Sequence, residues 1–318
     1  MTTLLISQPD CQLHDPISGH VEQPARYGAV AAALATEGFG FLERSIAPLG
    51  QWHQVGLAHP EEQMGWIKQR ELARQEEIDG VMALDPDTFL GPGSLNAALY
   101  GVGAGVAGVD AVMAGEADNA FCLVRPPGHH AELNRAMGFC VFNSAAIAAR
   151  HARVAHGCER IAVVDFDVHH GNGTQNILWE DEAGFFASSH EWPQYPGTGK
   201  ASDRGLYGTI YNQPLETGSG SHLFQRAWGQ ELLPALQDFG PDFIIISAGF
   251  DGHIADPLGG LALRETDFYW VTEAIRQVAQ DTCQGRIVSL LEGGYDLGAL
   301  GKSASAHVKA LARLPEIG

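Results

Sequence analysis

The sequence is poor in basic residues. Its 318 residues include 19 Lys and Arg against 38 Asp and Glu, which gives a net charge of −19. Because a nucleic-acid-binding surface needs clustered Lys and Arg, this composition argues against a nucleic-acid partner. The acidic balance favours cationic partners such as Lys-rich peptides or polyamines, although solubility alone also accounts for such a charge.

Cysteine pairs and long apolar runs are also missing. The five cysteines are odd in number and form no CxxC pair, which argues against a disulfide framework or a cysteine zinc site. No run of 18 apolar residues occurs, so we expect no membrane span. The N-terminus lacks the basic and apolar segments of a signal peptide. Together these absences predict a cytoplasmic protein with buried free thiols.

Strand-like and helix-like segments alternate along the chain, without repeats, low-complexity tracts or linkers. This alternation predicts a single α/β domain over residues 1–318, with a parallel sheet covered by helices on both faces. The expected strands are 4–7, 120–124, 160–166, 184–188, 243–247 and 286–291. The expected helices are 26–37, 94–114, 143–156, 221–239, 266–280 and 297–312.

Residues 163–173, VVDFDVHHGNG, place two carboxylates and two imidazoles at the end of an apolar strand. In an extended chain Asp165, Asp167 and His169 share one face, and Asp167 and His169 lie about 6–7 Å apart. A glycine-rich turn follows, and open α/β sheets hold ligands at the carboxyl ends of their strands. The pattern predicts a metal site, because surface charges alone do not explain acids and a histidine on one face.

Asp251 follows another expected strand, 243–247, and would therefore lie at the same edge of the sheet. It completes an Asp/His/Asp set, and three protein ligands with an open position are typical of catalytic zinc sites. His253 is expected to be a solvated loop residue. Asp256, before a proline, is expected to be a turn residue.

Two further strands end in polar segments. Strand 120–124 leads into a rigid turn with His129 and His130, of which one is suited to face a reacting water and the other to lie beside it. Strand 286–291 leads to Tyr295, whose hydroxyl could donate to a developing oxyanion. Four strand ends thus point to one chemistry.

These segments resemble the zinc-dependent histone deacetylases, most closely the class II type and its bacterial deacetylase and amidohydrolase relatives. The likeness extends from an H-x-E-x-P-x-R element at residues 20–26 to Tyr295. It implies the arginase/deacetylase fold, a single mainly parallel eight-stranded sheet between helical layers. The segments are RPPGHH (125–130), GFC (138–140), DFDVHHGNGTQ (165–175), AGFD (248–251) with DPLGG (256–260), and LEGGY (291–295).

By position, the resemblance implies that Asp167, His169 and Asp251 bind Zn²⁺, with Fe²⁺ or Co²⁺ as alternatives. A structural K⁺ would lie close by, and a second potassium site stays open. The residues that match the first potassium site are Asp165, Asp167, His169, Ser188 and Ser189.

The resemblance also assigns the proton chemistry. His130 would be the general base and acid, and His129 would tune the site electrostatically. Tyr295 would polarise the scissile carbonyl. Asp165 would hydrogen-bond His129 and Asn172 would hydrogen-bond His130. Other classes have Asp in place of Asn172, so the pKa of His130 should be lower here than beside an Asp.

A narrow apolar slot, as the resemblance implies, would suit the methylene stem of an acyl-lysine. The expected substrate-binding residues are Gly138, Phe139, His170, Tyr195, Leu258 and Gly293. The implied enzyme is a hydrolase that removes an acetyl or acyl group from N-acyl-lysine, in a peptide, or from a similar small primary-amine amide.

The main alternative is an acetylpolyamine amidohydrolase. Two features disfavour it. Leu258 occupies a position where an acidic residue would pair with the distal ammonium of a polyamine, and the loop at 58–86 is too short for the long insertion of the bacterial polyamine-type enzymes. An arginase-like ureohydrolase would need more metal ligands, and a non-enzymatic acyl-lysine-binding module would be expected to lack a ligand or Tyr295. The natural substrate, the acyl-chain preference and homo-oligomerisation stay open.

Overall fold

An eight-stranded sheet organises the protein, and every pair of neighbouring strands in it is parallel. The structure is a computed structural model that describes residues 2–15 and 17–315. The strands, in sheet order, are β2 (Glu43–Ile46), β1 (Thr3–Ser7), β5 (Asn119–Leu123), β10 (Ile287–Leu291), β9 (Phe243–Ala248), β6 (Ile161–Asp165), β7 (Gly184–Glu191) and β8 (Ile210–Leu215). A separate antiparallel hairpin consists of β3 (Met82–Ala83) and β4 (Phe89–Leu90).

Helices connect the strands and cover the sheet. They are α1 (Ala25–Leu34), α2 (Trp52–Val55), α3 (Glu61–Arg74), α4 (Ser94–Met113), α5 (Ser144–His156), α6 (Asn172–Leu178), α7 (Ser221–Ala227), α8 (Leu233–Phe239), α9 (Glu265–Cys283) and α10 (Leu297–Leu311). Short 3₁₀ turns occur at Pro9–Leu13 and Glu37–Phe39, and a π-helical turn at Trp228–Leu232 joins α7 to α8.

The central strands are apolar on both sides, as a sheet covered on both faces requires. Along β6, Ala162 and Val164 belong to one buried cluster, and Ile161 and Val163 belong to the other. The same alternation occurs along β9. The two apolar layers therefore lie on opposite faces of one sheet. Their packing holds the strands, and with them the strand ends, in place.

The expected parallel α/β fold is confirmed, and several elements differ from the expectation in detail. Strands β2 and β8 were not expected from the sequence, because β2 is exposed along its length and β8 mixes buried with half-buried residues. The segment 58–86, expected to be a loop, contains α3 and the hairpin strand β3. In α3 few residues are buried, among them Ile67, so its apolar periodicity is weak.

Among the described residues, α4 is the one helix that is long and apolar enough to cross a membrane, although its glycines break the apolar run. Of its most apolar window, 72% is buried inside the protein. Such burial is typical of a core helix. The five cysteines are free thiols and are all buried, as expected.

His307, on α10, is a buried histidine whose titration should affect stability. Its Nδ1 lies 2.6 Å from Thr272 Oγ1 and its Nε2 lies 2.8 Å from Ser289 Oγ. Burial lowers the pKa of His307 to about 3. Below pH ~6.5 the unfolded chain takes up a proton that folded His307 does not, so its contribution to stability falls as the pH drops from about 6.5 towards 3.

We expect His307→Gln to lose this acid sensitivity. The free energy of unfolding of the wild type should fall more steeply between pH 6.5 and 4.5 than that of the variant, by up to about 1.4 kcal/mol per pH unit. Urea unfolding at several pH values measures this slope. His222→Gln, at an exposed position on α7, should retain the wild-type slope; an unchanged slope in His307→Gln would contradict the assignment.

Candidate active site

The carboxyl ends of β5, β10, β9 and β6, which are neighbours in the sheet, converge on one buried site. Because parallel strands all end at the same edge, the segments that follow them are brought together although they are far apart in sequence. These segments carry His129 and His130 after β5, Tyr295 after β10, Asp251 after β9, and Asp167 and His169 after β6.

Asp167, His169 and Asp251 form a buried triad. His169 Nδ1 lies 3.1 Å from Asp167 Oδ1 and 3.2 Å from Asp251 Oδ2. The extended geometry expected for Asp167 and His169 is wrong, because β6 ends at Asp165 and the chain bends over residues 167–169. The backbone N–H of His169 donates to Asp167 Oδ1 at 2.9 Å. This bend brings the two side chains closer than a strand would.

The triad fits a divalent metal ion in spacing and in chemistry. Ligand atoms about 2.0–2.1 Å from a tetrahedral zinc lie about 3.3 Å apart, close to the separations in the triad. Burial and the neighbouring Asp167 carboxylate raise the pKa of Asp251 to about 7, since two carboxylates at close range disfavour double ionisation. A bound cation would relieve this repulsion. The three residues together would hold the ion and leave a coordination position for other ligands.

Gly293 packs directly against the carboxylates of the triad, and its expected contact with substrate stays a prediction. A Cβ at this position would lie 2.1 Å from Asp251 Oδ2 and 2.5 Å from Asp167 Oδ2. Its backbone N–H donates to Asp167 Oδ2 at 2.8 Å. The absence of a side chain therefore lets both carboxylates approach the backbone of the β10 end.

His130 is held by a chain of hydrogen bonds that fixes its orientation. His130 Nδ1 lies 2.8 Å from Asn172 Oδ1, and Asn172 Nδ2 donates to Glu132 Oε1 at 2.7 Å. Because the Glu132 carboxylate accepts, the Asn172 amide must turn its oxygen towards His130, which then donates from Nδ1. The remaining nitrogen, Nε2, is left as an acceptor for the cavity. Sequence reasoning did not identify Glu132.

His129 lies beside His130, and the pKa values of the two rings are shifted in opposite directions. Their ring centroids are 4.0 Å apart, and His129 Nδ1 lies 2.9 Å from Asp165 Oδ2. Burial disfavours the charged form of His129, but Asp167 and Asp165 outweigh burial and raise its pKa. Burial and the neighbouring imidazoles lower the pKa of His130 well below its usual range. One ring of the pair is therefore suited to carry charge and the other to stay neutral.

The turn that presents the two histidines is anchored by Glu292. Its Oε2 accepts the backbone N–H groups of Gly128, at 2.6 Å, and His129, at 3.1 Å. Ser247 Oγ donates to Oε1 at 3.1 Å. Glu292 thus ties the segment after β5 to the ends of β9 and β10, a role that its place in the LEGGY segment did not reveal.

Tyr295 is positioned by two buried side chains. Asp256 Oδ2 accepts its backbone N–H at 2.6 Å, and Asp256 Oδ1 accepts that of Leu258 at 3.0 Å. Asp256 is therefore a turn residue, as expected, and also an anchor for Tyr295. The Arg26 guanidinium lies 4.8 Å from the centroid of the Tyr295 ring. Burial raises the pKa of Tyr295, so its hydroxyl keeps its proton.

A cavity of about 220 Å³ extends to His169 of the triad. Four expected substrate-binding residues line it, namely Gly138, Phe139, Tyr195 and Leu258, together with His130, His169 and Tyr295. Asp87 and Gln194, which sequence reasoning missed, complete the lining. The wall is mainly aromatic and aliphatic, with polar groups from the histidines, Tyr295, Gln194 and Asp87.

Two histidines near the site are buried and hydrogen-bonded. His170 is 1% exposed, and its ring nitrogens lie 2.8 Å from Thr198 Oγ1 and 3.0 Å from Gln175 Oε1. Through its contact with Thr198, His170 therefore helps to hold the 195–199 loop in place. His253 is not solvated, because it is 7% exposed and its Nδ1 accepts the N–H of Ala255.

The residues expected to surround a potassium ion lie on neighbouring strands. Asp165, the last residue of β6, is in register with Ser188 of β7. Ser188 Oγ lies 2.9 Å from His190 Nδ1, and Ser189 Oγ accepts from Trp228 Nε1 at 2.9 Å.

Comparison with known proteins gives one family. The model of the histone deacetylase domain matches residues 20–311. Histone deacetylase 14, chloroplastic, of Arabidopsis thaliana is 45% identical over 221 residues, 67% of this chain and 52% of the plant protein. The polyamine deacetylase HDAC10 of Homo sapiens is 33% identical over 98% of this chain and 46% of its own length. The chain thus spans about half the length of both relatives.

A solved structure extends the similarity to the fold. The crystal structure of the HDA15 HD domain superposes with a TM-score of 0.91 at 33% sequence identity. The match covers 98% of this chain and 88% of that one. It agrees with the arginase/deacetylase fold expected from the sequence.

We expect Asp251→Ala to lose the divalent ion, because two protein ligands hold zinc far more weakly than three. Elemental analysis after reconstitution and desalting measures the metal content per chain. His130→Ala is the matched control, since His130 lines the same cavity outside the triad, and it should retain about one equivalent. Equal metal contents in the two variants would show that the triad is not the principal site.

Proposed function

The chain belongs to the histone deacetylase family, and we propose that it is a zinc-dependent hydrolase that removes an acetyl or acyl group from N-acyl-lysine or a similar primary-amine amide. One observation carries the proposal: the neutral imidazole of His130, the protonated phenol of Tyr295 and His169 of the buried Asp/His/Asp triad line one cavity of about 220 Å³. This is the set of groups that hydrolysis of an amide requires.

The side chains divide the reaction between them. His130 Nε2 would take a proton from the attacking water, because Nδ1 is engaged by Asn172. The Tyr295 hydroxyl would donate to the oxygen that becomes negative as the carbonyl carbon turns tetrahedral. His130 would then return the proton to the departing amine, giving a carboxylate and a free primary amine. When bound, the divalent ion would supply Lewis-acid polarisation and lower the pKa of a water.

Zinc is our choice of ion, with Fe²⁺ and Co²⁺ as alternatives that the donor set also accommodates. A structural potassium ion is part of the proposal. The register between Asp165 and Ser188 supports it, because it places a carboxylate and a hydroxyl on adjacent strands close to the triad.

The lining of the cavity supports an acyl-lysine substrate. Phe139 and Tyr195 offer aromatic walls to an apolar stem, and Leu258 adds an aliphatic side chain. An acetylpolyamine carries an ammonium at the end distal to its amide. A carboxylate at the far end of the slot would attract this ammonium most strongly. Asp87 is the carboxylate in the lining, so acetylpolyamines remain the alternative that the experiment must separate.

Parallel turnover of substrates tests the function. The zinc-reconstituted full chain is assayed for acetate release from acetyl-lysine peptides and from N-acetylputrescine. We expect kcat/KM for the peptides to be higher by at least about tenfold, a difference of about 1.4 kcal/mol. A preference for N-acetylputrescine would replace the main proposal with the alternative. Turnover of neither, in protein with a full metal content, would refute both.

Leu258→Glu should move selectivity towards N-acetylputrescine, because the new carboxylate attracts its distal ammonium. We expect the ratio of the two kcat/KM values to change by about tenfold. Leu258→Gln, similar in size to Glu but uncharged, should leave the ratio close to that of the wild type. The same shift in both variants would point to loss of the apolar wall instead of charge.

Glu132→Ala should lower kcat with little change in KM. Without the carboxylate, the Asn172 amide can turn its NH₂ group towards His130, which favours the tautomer with no free base at Nε2. A hydrogen bond to a charged group contributes about 1.5–3 kcal/mol, so we expect kcat to fall by about tenfold or more. Glu132→Gln, which keeps an acceptor, should recover part of the rate. Glu180→Ala, at an exposed position, should have no effect; a normal kcat in Glu132→Ala would contradict this role.

A further inference from the structure

A second group of metal-ligating side chains lies on the two helices that precede β5 and β6. It consists of Asp110 on α4 and of His151 and His156 on α5. Both helices end at the edge of the sheet where β5 and β6 begin, so the group lies on the opposite side from the active site. We propose that these three residues form a surface site for a divalent first-row transition-metal ion, independent of the deacetylase centre.

The ligand atoms are already close together. Asp110 Oδ1 lies 2.7 Å from His151 Nε2 and 2.7 Å from His156 Nε2. All three atoms lie within 4.8 Å of one another. The two imidazole rings are nearly perpendicular, at 80°, with centroids 5.6 Å apart. Small side-chain rotations bring three such atoms to the 2.0–2.2 Å distances that a transition metal requires.

The helices that carry the ligands are held at a fixed, short separation. They run side by side in the same direction, with Gly101 against Ser144 and Gly105 against Ala148. A Cβ at Gly101 would lie 3.1 Å from Ser144 Oγ, and one at Gly105 would lie 3.1 Å from Ala148 Cβ. Continuing this register along both helices places Asp110 beside the two histidines. A site on packed helices is more precisely held than one on loops.

The local field favours a cation at this place. Asp110 lies in the last turn of α4, which ends at Met113, and His156 is the last residue of α5. The C-terminal end of a helix carries a partial negative charge, and here two parallel helices present such ends side by side. The Asp110 carboxylate adds a full negative charge, and the chain as a whole carries −19.

The donor atoms select the class of ion. Two imidazole nitrogens and one carboxylate oxygen suit Zn²⁺, Ni²⁺, Co²⁺ or Cu²⁺, whereas Mg²⁺ and Ca²⁺ prefer oxygen ligands. The Asp110 side chain is 52% exposed, and those of His151 and His156 are 14% and 25% exposed. Water can therefore complete the coordination sphere. The buried triad has the reverse composition, two carboxylates and one imidazole, so the two sites should bind and release ions separately.

A bound ion would link α4 to α5 at the ends that lead into the sheet. Without an ion, the same side chains form a hydrogen-bonded trio in which the imidazoles donate to Asp110. Both arrangements hold the helices together. Only the first makes stability depend on metal concentration, because an ion that binds the folded state alone stabilises it by mass action.

Titration of the zinc-loaded full chain with Ni²⁺ tests the proposal by calorimetry. The catalytic site is first filled, and zinc retention is followed by elemental analysis during the titration. We expect the wild type to bind about one equivalent of Ni²⁺ with a dissociation constant in the micromolar range. His151→Gln and His156→Gln should each weaken binding by at least about tenfold, since two ligands remain. His222→Gln removes an exposed histidine elsewhere and should bind as the wild type does.

Thermal unfolding provides a second measurement. The midpoint of the wild type and of His222→Gln should rise with Ni²⁺ concentration, and that of the two site variants should not. Equal Ni²⁺ affinity in the site variants and the wild type, or no binding to the wild type at about 100 μM Ni²⁺, would overturn the proposal. Neither readout uses turnover, so the result is independent of the proposed deacetylase activity.

Discussion

Two carboxylates, Asp167 and Asp251, lie on either side of one imidazole in a buried position, and hydrogen bonds from the surrounding structure hold them there. Each of the two acids is at most 1% exposed. Burying like charges together is costly unless a cation and hydrogen bonds compensate. Backbone N–H groups from Val168 and Gly293 donate to the pair at 2.9 and 2.8 Å. Glycine at 293 leaves them the necessary space.

The H-x-E-x-P-x-R element and Arg125 form a second group of buried charges. Glu22 is fully buried and accepts from Arg26 and twice from Arg125. Arg26 in turn donates to the carbonyls of Glu292 and Gly294, on the loop that carries Tyr295. A buried ion pair contributes little net stability but fixes geometry when every donor is used. The H-x-E-x-P-x-R element therefore holds the loop that carries Tyr295 in place, although the two segments are far apart in sequence.

Local sequence patterns predicted the centre of the sheet and the residues at its strand ends, and they failed where structure depends on partners elsewhere in the chain. Strands β5, β6, β9 and β10 are short and mostly apolar, a pattern typical of buried strands in a parallel sheet. Strand β2 has no buried residue, so no apolar pattern marks it. His170 and Gly293 lie next to predicted site residues in sequence. In the structure His170 contacts the 195–199 loop, and the backbone N–H of Gly293 donates to the triad. Nothing near Glu132 or Asp256 in sequence shows that one contacts Asn172 and the other the backbone of Tyr295.

The order of the strands has a consequence for how the protein is made. The last strand in the described part of the chain, β10, lies between β5 and β9 near the middle of the sheet. Until residues 287–291 have left the ribosome, the nascent chain can form only two separate half-sheets, each with an unpaired, apolar central strand at its edge. Such edges are templates for wrong pairing. We infer that closure of the sheet, and with it assembly of the site, must wait for β10 and is dominated by contacts between distant parts of the sequence.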